Sequence, residues 1–218
     1  MELSTLLEAT VAFLLGYAAG SVPLGLLVAY LFAGIDIRRH GTGNVGAANV
    51  REHAGRAAAA VVALGVFLQG LLPPLAARLL GAQEGVVAAA ALGPVVGYGW
   101  SPFLGFRGGR GVGVSTGAAA ALSPGGFLVL LAVYGLGRLA DQMGLATVAG
   151  FALYAVYALW SAGWSATGLA ALALLALVLL RRLEGVSEDL RHHPALPTLA
   201  GRLLLDRRPG QRLRGRNG

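Results

Sequence analysis

Residues 6–32 read LLEATVAFLLGYAAGSVPLGLLVAYLF, an apolar run in which Glu8 is the sole charge and Gly20-Ser21-Val22-Pro23 the sole interruption. A helix crosses the hydrocarbon core of a bilayer with roughly 20 apolar residues, so this run is long enough to span it. Pro23 lacks the N–H a continuous helix would use, which predicts a kink or break at that level. The run is too long for the apolar core of a cleaved signal peptide, and no basic segment precedes it. Further spans are expected at about Ala57–Leu80, Val86–Trp100 and Val112–Leu136. Two more apolar stretches fill 143–180, separated by Ser161-Ala162-Gly163-Trp164-Ser165. The fold class is therefore all-α: a polytopic helical membrane protein with about five to seven transmembrane helices and glycine-rich cytoplasmic loops.

Composition agrees. The 218 residues are 56% hydrophobic and only 12% charged, where a soluble domain carries about 25% charged residues. The 34 glycines suit helices that pack closely in lipid. Cysteine is absent, which excludes disulfides and thiolate metal sites. All 17 basic residues are arginines, and they are clustered: Arg38, Arg39, Arg51 and Arg56 in one loop, Arg107 and Arg110 in a second, and the rest mainly from Arg181 onward. Arginines placed between apolar spans follow the positive-inside rule rather than the pattern of a nucleic-acid binder. The expected division is a membrane domain over residues 1–183 and a basic, partly disordered cytoplasmic tail over 184–218.

With the first arginine loop inside, the N-terminus lies outside and spans two and three return the chain to the inside at Arg107 and Arg110. Three full spans between Arg110 and Arg181 would then put Arg181 and Arg182 outside, against the rule. One stretch within 112–180 is therefore expected to be partial or re-entrant, and the glycine- and serine-interrupted segment around Trp160–Trp164 is the one predicted.

The first loop runs Asp36-Ile-Arg-Arg-His-Gly-Thr-Gly-Asn-Val-Gly-Ala-Ala-Asn49. Gly41, Gly43 and Gly46 formally match the G-x-G-x-x-G dinucleotide fingerprint, but a membrane helix and not a strand precedes them. Part of the physics carries over. Glycines let successive N–H groups converge on an anion, and the Ala-rich helix that follows aims its N-terminal dipole at the same place. Arg38 or Arg39 is placed to add a two-pronged contact to phosphate oxygens, and Asn44 and Asn49 supply neutral donors. His40 reads as a solvated or capping residue.

The second loop, Gly97-Tyr-Gly-Trp-Ser-Pro-Phe-Leu-Gly-Phe-Arg107-Gly-Gly-Arg110-Gly-Val-Gly, lacks the G-K-[ST] of a Walker loop. Its Arg-Gly-Gly-Arg-Gly core brings guanidinium and backbone N–H groups together at the start of a helix. Tyr98, Trp100, Phe103 and Phe106 read as an interfacial aromatic belt.

Together, Gly20–Pro23, the stretch from Gly34 to Asn49 and the stretch Phe103-Leu-Gly-Phe-Arg-Gly-Gly-Arg-Gly-Val112 resemble the bacterial acyl-phosphate:glycerol-3-phosphate acyltransferase family of the PlsY type, over roughly residues 10–185. The resemblance implies an inner-membrane enzyme with its motifs at the cytoplasmic face. It would move a fatty acyl group from acyl phosphate to the sn-1 hydroxyl of glycerol 3-phosphate, giving lysophosphatidic acid for phospholipid synthesis without metal, cofactor or covalent intermediate. The chain is a diverged member. Thr42 stands for the family's Ser, Ala48 for a Thr, Glu52 for an Arg (with Arg51 adjacent), Arg110 for a Lys, and Tyr98 for a His. Val66 and Gln69 stand for the family's Asp and Lys, and Arg182 and Gly185 for the His and Asn of its third motif.

An acyl phosphate is already activated, so the protein must hold two anions close together and orient a hydroxyl toward the carbonyl. The roles that follow are catalytic for Thr42, Asn44 and Arg110. Substrate-binding roles fall to Arg38, Gly41, Gly43, Gly46, Asn49, Arg51, Arg107, Gly108, Gly109 and Gly111. No protein residue stands out as general base, and a substrate phosphate oxygen is the expected proton acceptor. The alternatives are a diverged member that binds phosphate or lipid without turnover, or one that acylates another acceptor. A transporter would need polar residues at mid-membrane and an internal repeat; Gln69 is nearly the only strongly polar residue inside a span.

Overall fold

The structure, a computed structural model, describes residues 3–184 together with Pro194, Thr198, Leu199 and Gly201. The expected disordered tail therefore lies, beyond Glu184, almost wholly outside the described residues. Eight helices and no strand occur among the described residues: α1 Leu3–Ser21, α2 Leu24–Ala33, α3 Ala47–Leu79, α4 Glu84–Gly99, α5 Val112–Leu122, α6 Pro124–Leu139, α7 Met143–Ala162 and α8 Ala166–Leu183. Five segments are long and apolar enough to cross a membrane: α1 with α2, α3, α4 with the short turn after it, α7 and α8. The protein is a multi-pass, all-helical membrane protein, and its outward surface carries the exposed Leu, Val and Phe side chains that such a protein presents to lipid.

The Pro23 break falls where the sequence places it, between α1 and α2. With no N–H at Pro23, the carbonyl of Ala19 loses its helical partner. Gln69 of α3 replaces it: Nε2 donates to the carbonyls of Ala19 (2.8 Å) and Val22 (3.0 Å). A strongly polar side chain inside a span thus mends a broken helix. α1 packs along α4 in parallel, with Gly16 and Gly20 on one side and Gly93 and Gly97 on the other. A Cβ at Gly20, Gly93 or Gly97 would collide with backbone of the facing helix, which is why this seam needs glycine.

The fourth expected span, Val112–Leu136, is instead two helices. Ser123 ends α5 and caps α6 by accepting from the Gly126 N–H, with Pro124 at the first helical position. α5 has 11 residues, about 16 Å of helix, half a hydrocarbon core. It packs beside α3 in the same direction, Gly113 and Gly117 lying against Val66 and Phe67, and Arg78 at the end of α3 donates to the Leu122 carbonyl (3.1 Å). α6 then runs back along α7. The pair of short helices is therefore the α5–α6 hairpin, and the predicted partial segment around Trp160–Trp164 is corrected: α7 and α8 are both long and apolar enough to cross a membrane, and Gly163 at positive φ turns the chain between them. Trp160 and Trp164 are the exposed aromatics of that turn.

The hairpin fixes which helix ends share a face. Glu84 of α4 accepts from Ser165 Oγ (2.7 Å) and the Thr167 N–H (3.0 Å), joining the starts of α4 and α8. At the opposite end, Arg182 donates to the Gly144 carbonyl (3.0 Å) and Arg181 to the second loop, so the ends of α6 and α8 and the start of α7 gather beside the glycine-rich loops. All the described arginines except Arg78 belong to that loop face.

Candidate functional site

The first loop closes on itself. Asp36 accepts from the Arg38 N–H (3.1 Å) and, through both oxygens, from its guanidinium (Nε–Oδ1 2.9 Å, Nη2–Oδ2 2.7 Å). The guanidinium beside it pulls the Asp36 carboxyl down to about 2. Arg38, expected at phosphate, is thus held by Asp36, while Arg39 stands 3.9 Å from the same carboxylate with its side chain 84% exposed. Gly41 and Gly43 turn the chain with positive φ (55° and 70°), a region that costs side-chain-bearing residues energy.

Asn49 is the hub. Buried at 5% exposure, its Nδ2 donates to the carbonyls of His40 (3.0 Å) and Asn44 (3.0 Å), with that of Ile37 at 3.3 Å, while Oδ1 accepts from the Thr42 N–H (3.2 Å). Its amide is engaged on both sides in shaping the loop, which gives Asn49 a framework task. Thr42 is exposed, its Oγ1 accepting from the Asn44 N–H (3.4 Å), and Asn44 is half-buried beside it. His40 and His53 each place Nδ1 on a backbone carbonyl, of Asp36 (2.9 Å) and Asn49 (3.0 Å), with ring centroids 5.8 Å apart across Gly41. Gly46 is the N-cap of α3, whose first-turn N–H groups at Ala47 and Ala48 have no intrahelical acceptor and carry the positive end of the helix dipole. Arg51, one turn on, is exposed, and Gly55 (φ 92°, ψ 173°) breaks α3 just beyond.

The second loop is anchored from outside. The N–H groups of Gly108 and Gly109 donate back to the carbonyls of Gly99 (3.0 Å) and Tyr98 (3.3 Å) at the end of α4. Their own carbonyls accept from Arg181 of α8, Nη2 to Gly108 at 2.7 Å and Nε to Gly109 at 3.0 Å. The expectation that the Gly108 and Gly109 N–H groups meet phosphate is thereby corrected: both are already bonded. The donors that remain are one step later, where Gly111 at φ 78° caps α5 and the first-turn N–H groups of Val112 and Gly113 open the helix. Arg110 is half-buried at this turn and Arg107 is exposed. The aromatic belt divides as well. Phe103 and Phe106 are 67% and 60% exposed, but Tyr98 is buried under Gly109, and Trp100 lies 4.9 Å from the Arg181 guanidinium.

Both loops rest on the α1–α2 break. Ser101 Oγ donates to the Ser21 carbonyl (2.6 Å), and Tyr17 donates to the Trp100 carbonyl (2.9 Å), fixing the second loop. Gly25, two residues past Pro23, lies directly under the Val45 carbonyl of the first; any Cβ there would strike it. Sequence reasoning missed Arg181, Asp36, Ser101 and His53. Arg181 carried only the signal of a positive-inside arginine, and the others carried none that composition or spacing reveals.

The glycerol-3-phosphate acyltransferase family matches residues 10–191. Curated relatives include the glycerol-3-phosphate acyltransferase of Rubrobacter xylanophilus, 48% identical over 129 residues (59% of this chain, 64% of the relative), and that of Geobacter sulfurreducens, 43% identical over 118 residues (54% and 60%). The matched stretch spans a little under two thirds of these relatives. Crystal structures of PlsY, an integral membrane glycerol 3-phosphate acyltransferase, superpose on 86% of this chain and 92% of theirs. The glycerol 3-phosphate form gives a TM-score of 0.72 at 29% identity, and the lysophosphatidic acid form 0.70 at 30%. With its two glycine-rich loops on one helical membrane fold and these matches, the chain belongs to the glycerol-3-phosphate acyltransferase family.

Proposed function

We propose that the protein transfers a fatty acyl group from acyl phosphate to the sn-1 hydroxyl of glycerol 3-phosphate, giving lysophosphatidic acid for phospholipid biosynthesis. The observation that carries this reading is the pair of helix N-termini, α3 behind Gly46 and α5 behind Gly111. Each is opened by an arginine-bearing glycine turn, and both are buttressed by the same Ser21–Gly25 break. Two phosphate-receptive ends on one face suit a reaction with two phosphorylated substrates. Family membership and the glycerol 3-phosphate and lysophosphatidic acid forms of the PlsY structures support it.

In the proposed reaction the sn-1 oxygen attacks the acyl carbonyl carbon and the bond from that carbon to the phosphate oxygen breaks. The hydroxyl proton passes to the departing phosphate, so the products are lysophosphatidic acid and inorganic phosphate. Arg110 and the first turn of α5 would bind one phosphate and stabilise charge as the bond breaks. Thr42 and Asn44, with the first turn of α3 and Arg51, would orient the other substrate. The acyl chain would lie against the apolar helices. Arginine asymmetry supports a cytoplasmic loop face in an inner membrane, with the N-terminus outside.

A member that binds its ligands without turnover is the second reading. Arg182, standing where the family has His, is buried and donates to the Gly144 carbonyl; position 185 lies outside the described residues. Purified protein given labelled glycerol 3-phosphate and palmitoyl phosphate separates the two: labelled lysophosphatidate is expected, and its absence while both substrates bind would favour the second. Single cysteines at positions 3 and 215 test orientation. Position 3 should label only from outside, and labelling from inside alone would overturn the topology.

A further inference from the structure

Arg181 lies in the last turn of α8, 9% exposed, and each of its three guanidinium nitrogens already donates: Nη2 to the Gly108 carbonyl, Nε to that of Gly109, and Nη1 to Glu184 one turn on. Its flat face lies 4.9 Å from the Trp100 ring centroid, and Gly99 leaves room for its stem, since a Cβ there would sit 3.2 Å from Arg181 Cδ. The Gly108-Gly109 segment is consequently gripped on both sides, by carbonyls of α4 through its N–H groups and by α8 through its carbonyls. Only Arg110 and Gly111 separate this clip from the first turn of α5.

We infer that Arg181 is a positioning residue for the anion site at the start of α5: it fixes the loop that aims Arg110 and the α5 N–H groups without touching substrate itself. This rests on the reading of that turn as a phosphate site. The device requires arginine. A planar fork serves two neighbouring carbonyls at once while stacking on an aromatic face, whereas the compact ammonium of lysine serves one point in space. A guanidinium enclosed this way also couples α8 to the loop, so movement of the last turn of α8 would move the site.

The test uses the full chain in lipid nanodiscs, with Arg181→Lys as the main variant, read by melting temperature, by kcat and KM with glycerol 3-phosphate and palmitoyl phosphate, and by calorimetric titration with inorganic phosphate. A misplacement of about 1 Å costs on the order of a hundredfold, so Arg181→Lys should raise KM for one phosphorylated substrate and weaken phosphate binding by roughly tenfold or more, with the melting temperature nearly unchanged. A purely structural role would reduce the folded fraction and leave KM and phosphate affinity of the surviving molecules as they were; that result overturns the proposal. Hydrogen exchange on the wild-type chain guards against a variant that fails to fold: the Gly108 and Gly109 amides should be protected, and rapid exchange there would overturn the clip by itself. A wild-type chain that binds phosphate in an Arg181-dependent way but forms no lysophosphatidate would refute the proposed reaction and leave the clip standing. Turnover identical in wild type and Arg181→Lys would do the reverse.

Discussion

The loop before α3 draws its bonds from within itself. Asn49 reaches Ile37, His40, Thr42 and Asn44, and the farthest of these is 12 residues away. The loop before α5 has no such hub: its glycines hang between α4 and the Arg181 side chain, 72 and 73 residues along the chain. The first loop is set by its own sequence once Asn49 is buried, while the second exists only if α4 and α8 are already packed together. Damage to the first should therefore stay local, and damage anywhere along the α4–α8 contact should reach the second.

The sharpest way to break this contrast is Asn49→Asp. The substitution keeps the volume but turns a donor toward three carbonyls into an acceptor. Buried polar groups left unmatched cost about 1–3 kcal/mol each, so turnover should fall by more than a hundredfold. If the loop is independent, phosphate binding at the α5 turn should survive, and its loss would show the two loops to be one unit. Next comes Thr42→Val, expected to lower turnover by roughly ten- to a hundredfold, the worth of a hydrogen bond to a charged group at about 1.5–3 kcal/mol. Thr42→Ser should be mild. Activity and melting temperature measured on the same samples separate orientation from turn-shaping, and wild-type turnover in Thr42→Val removes the residue from the site.

Arg110→Ala should raise KM for a phosphorylated substrate at least tenfold, about 1.4 kcal/mol; unchanged kinetics in correctly inserted protein would take it out of the site. The smallest effect is expected from Asp36→Asn. The Asp36–Arg38 pair is open to solvent, where screening leaves an ion pair little to contribute. Because the folded carboxyl titrates lower than the free one, its contribution is complete above about pH 4 and fades as pH falls toward 2. Asp36→Asn should therefore differ little from wild type in melting temperature at pH 7, and less still as pH falls through 2; a loss of several degrees at pH 7 would show that this pair, and not Asn49, holds the first loop.

The spans were legible because length and apolarity suffice when lipid is the solvent, and Pro23 announced its break through a missing N–H. The pair of short helices was misplaced for a specific reason. Ser123-Pro124 sits inside an uninterrupted apolar run, whereas Ser161–Ser165 has the glycine and serine of a break but is a turn between two complete helices. The candidate site divides along the same line. Glycine turns, arginines and their order are local patterns, and they located both loops. Which N–H groups are still available is a question about partners, and it moved the α5 donors past Gly108 and Gly109 and turned Asn49 inward.

By itself, then, the sequence determined that this is a helical membrane protein with two arginine-bearing glycine loops on one face, because hydrophobic length, proline and charge bias act on the chain residue by residue. Only the tertiary structure decided that Gln69 repairs the Pro23 break, that the hairpin falls at Ser123, and that Arg181 fixes the second loop. Each is a hydrogen bond or capping contact whose partner is chosen by packing, and polar groups withdrawn from water must find such partners wherever the packed helices bring them.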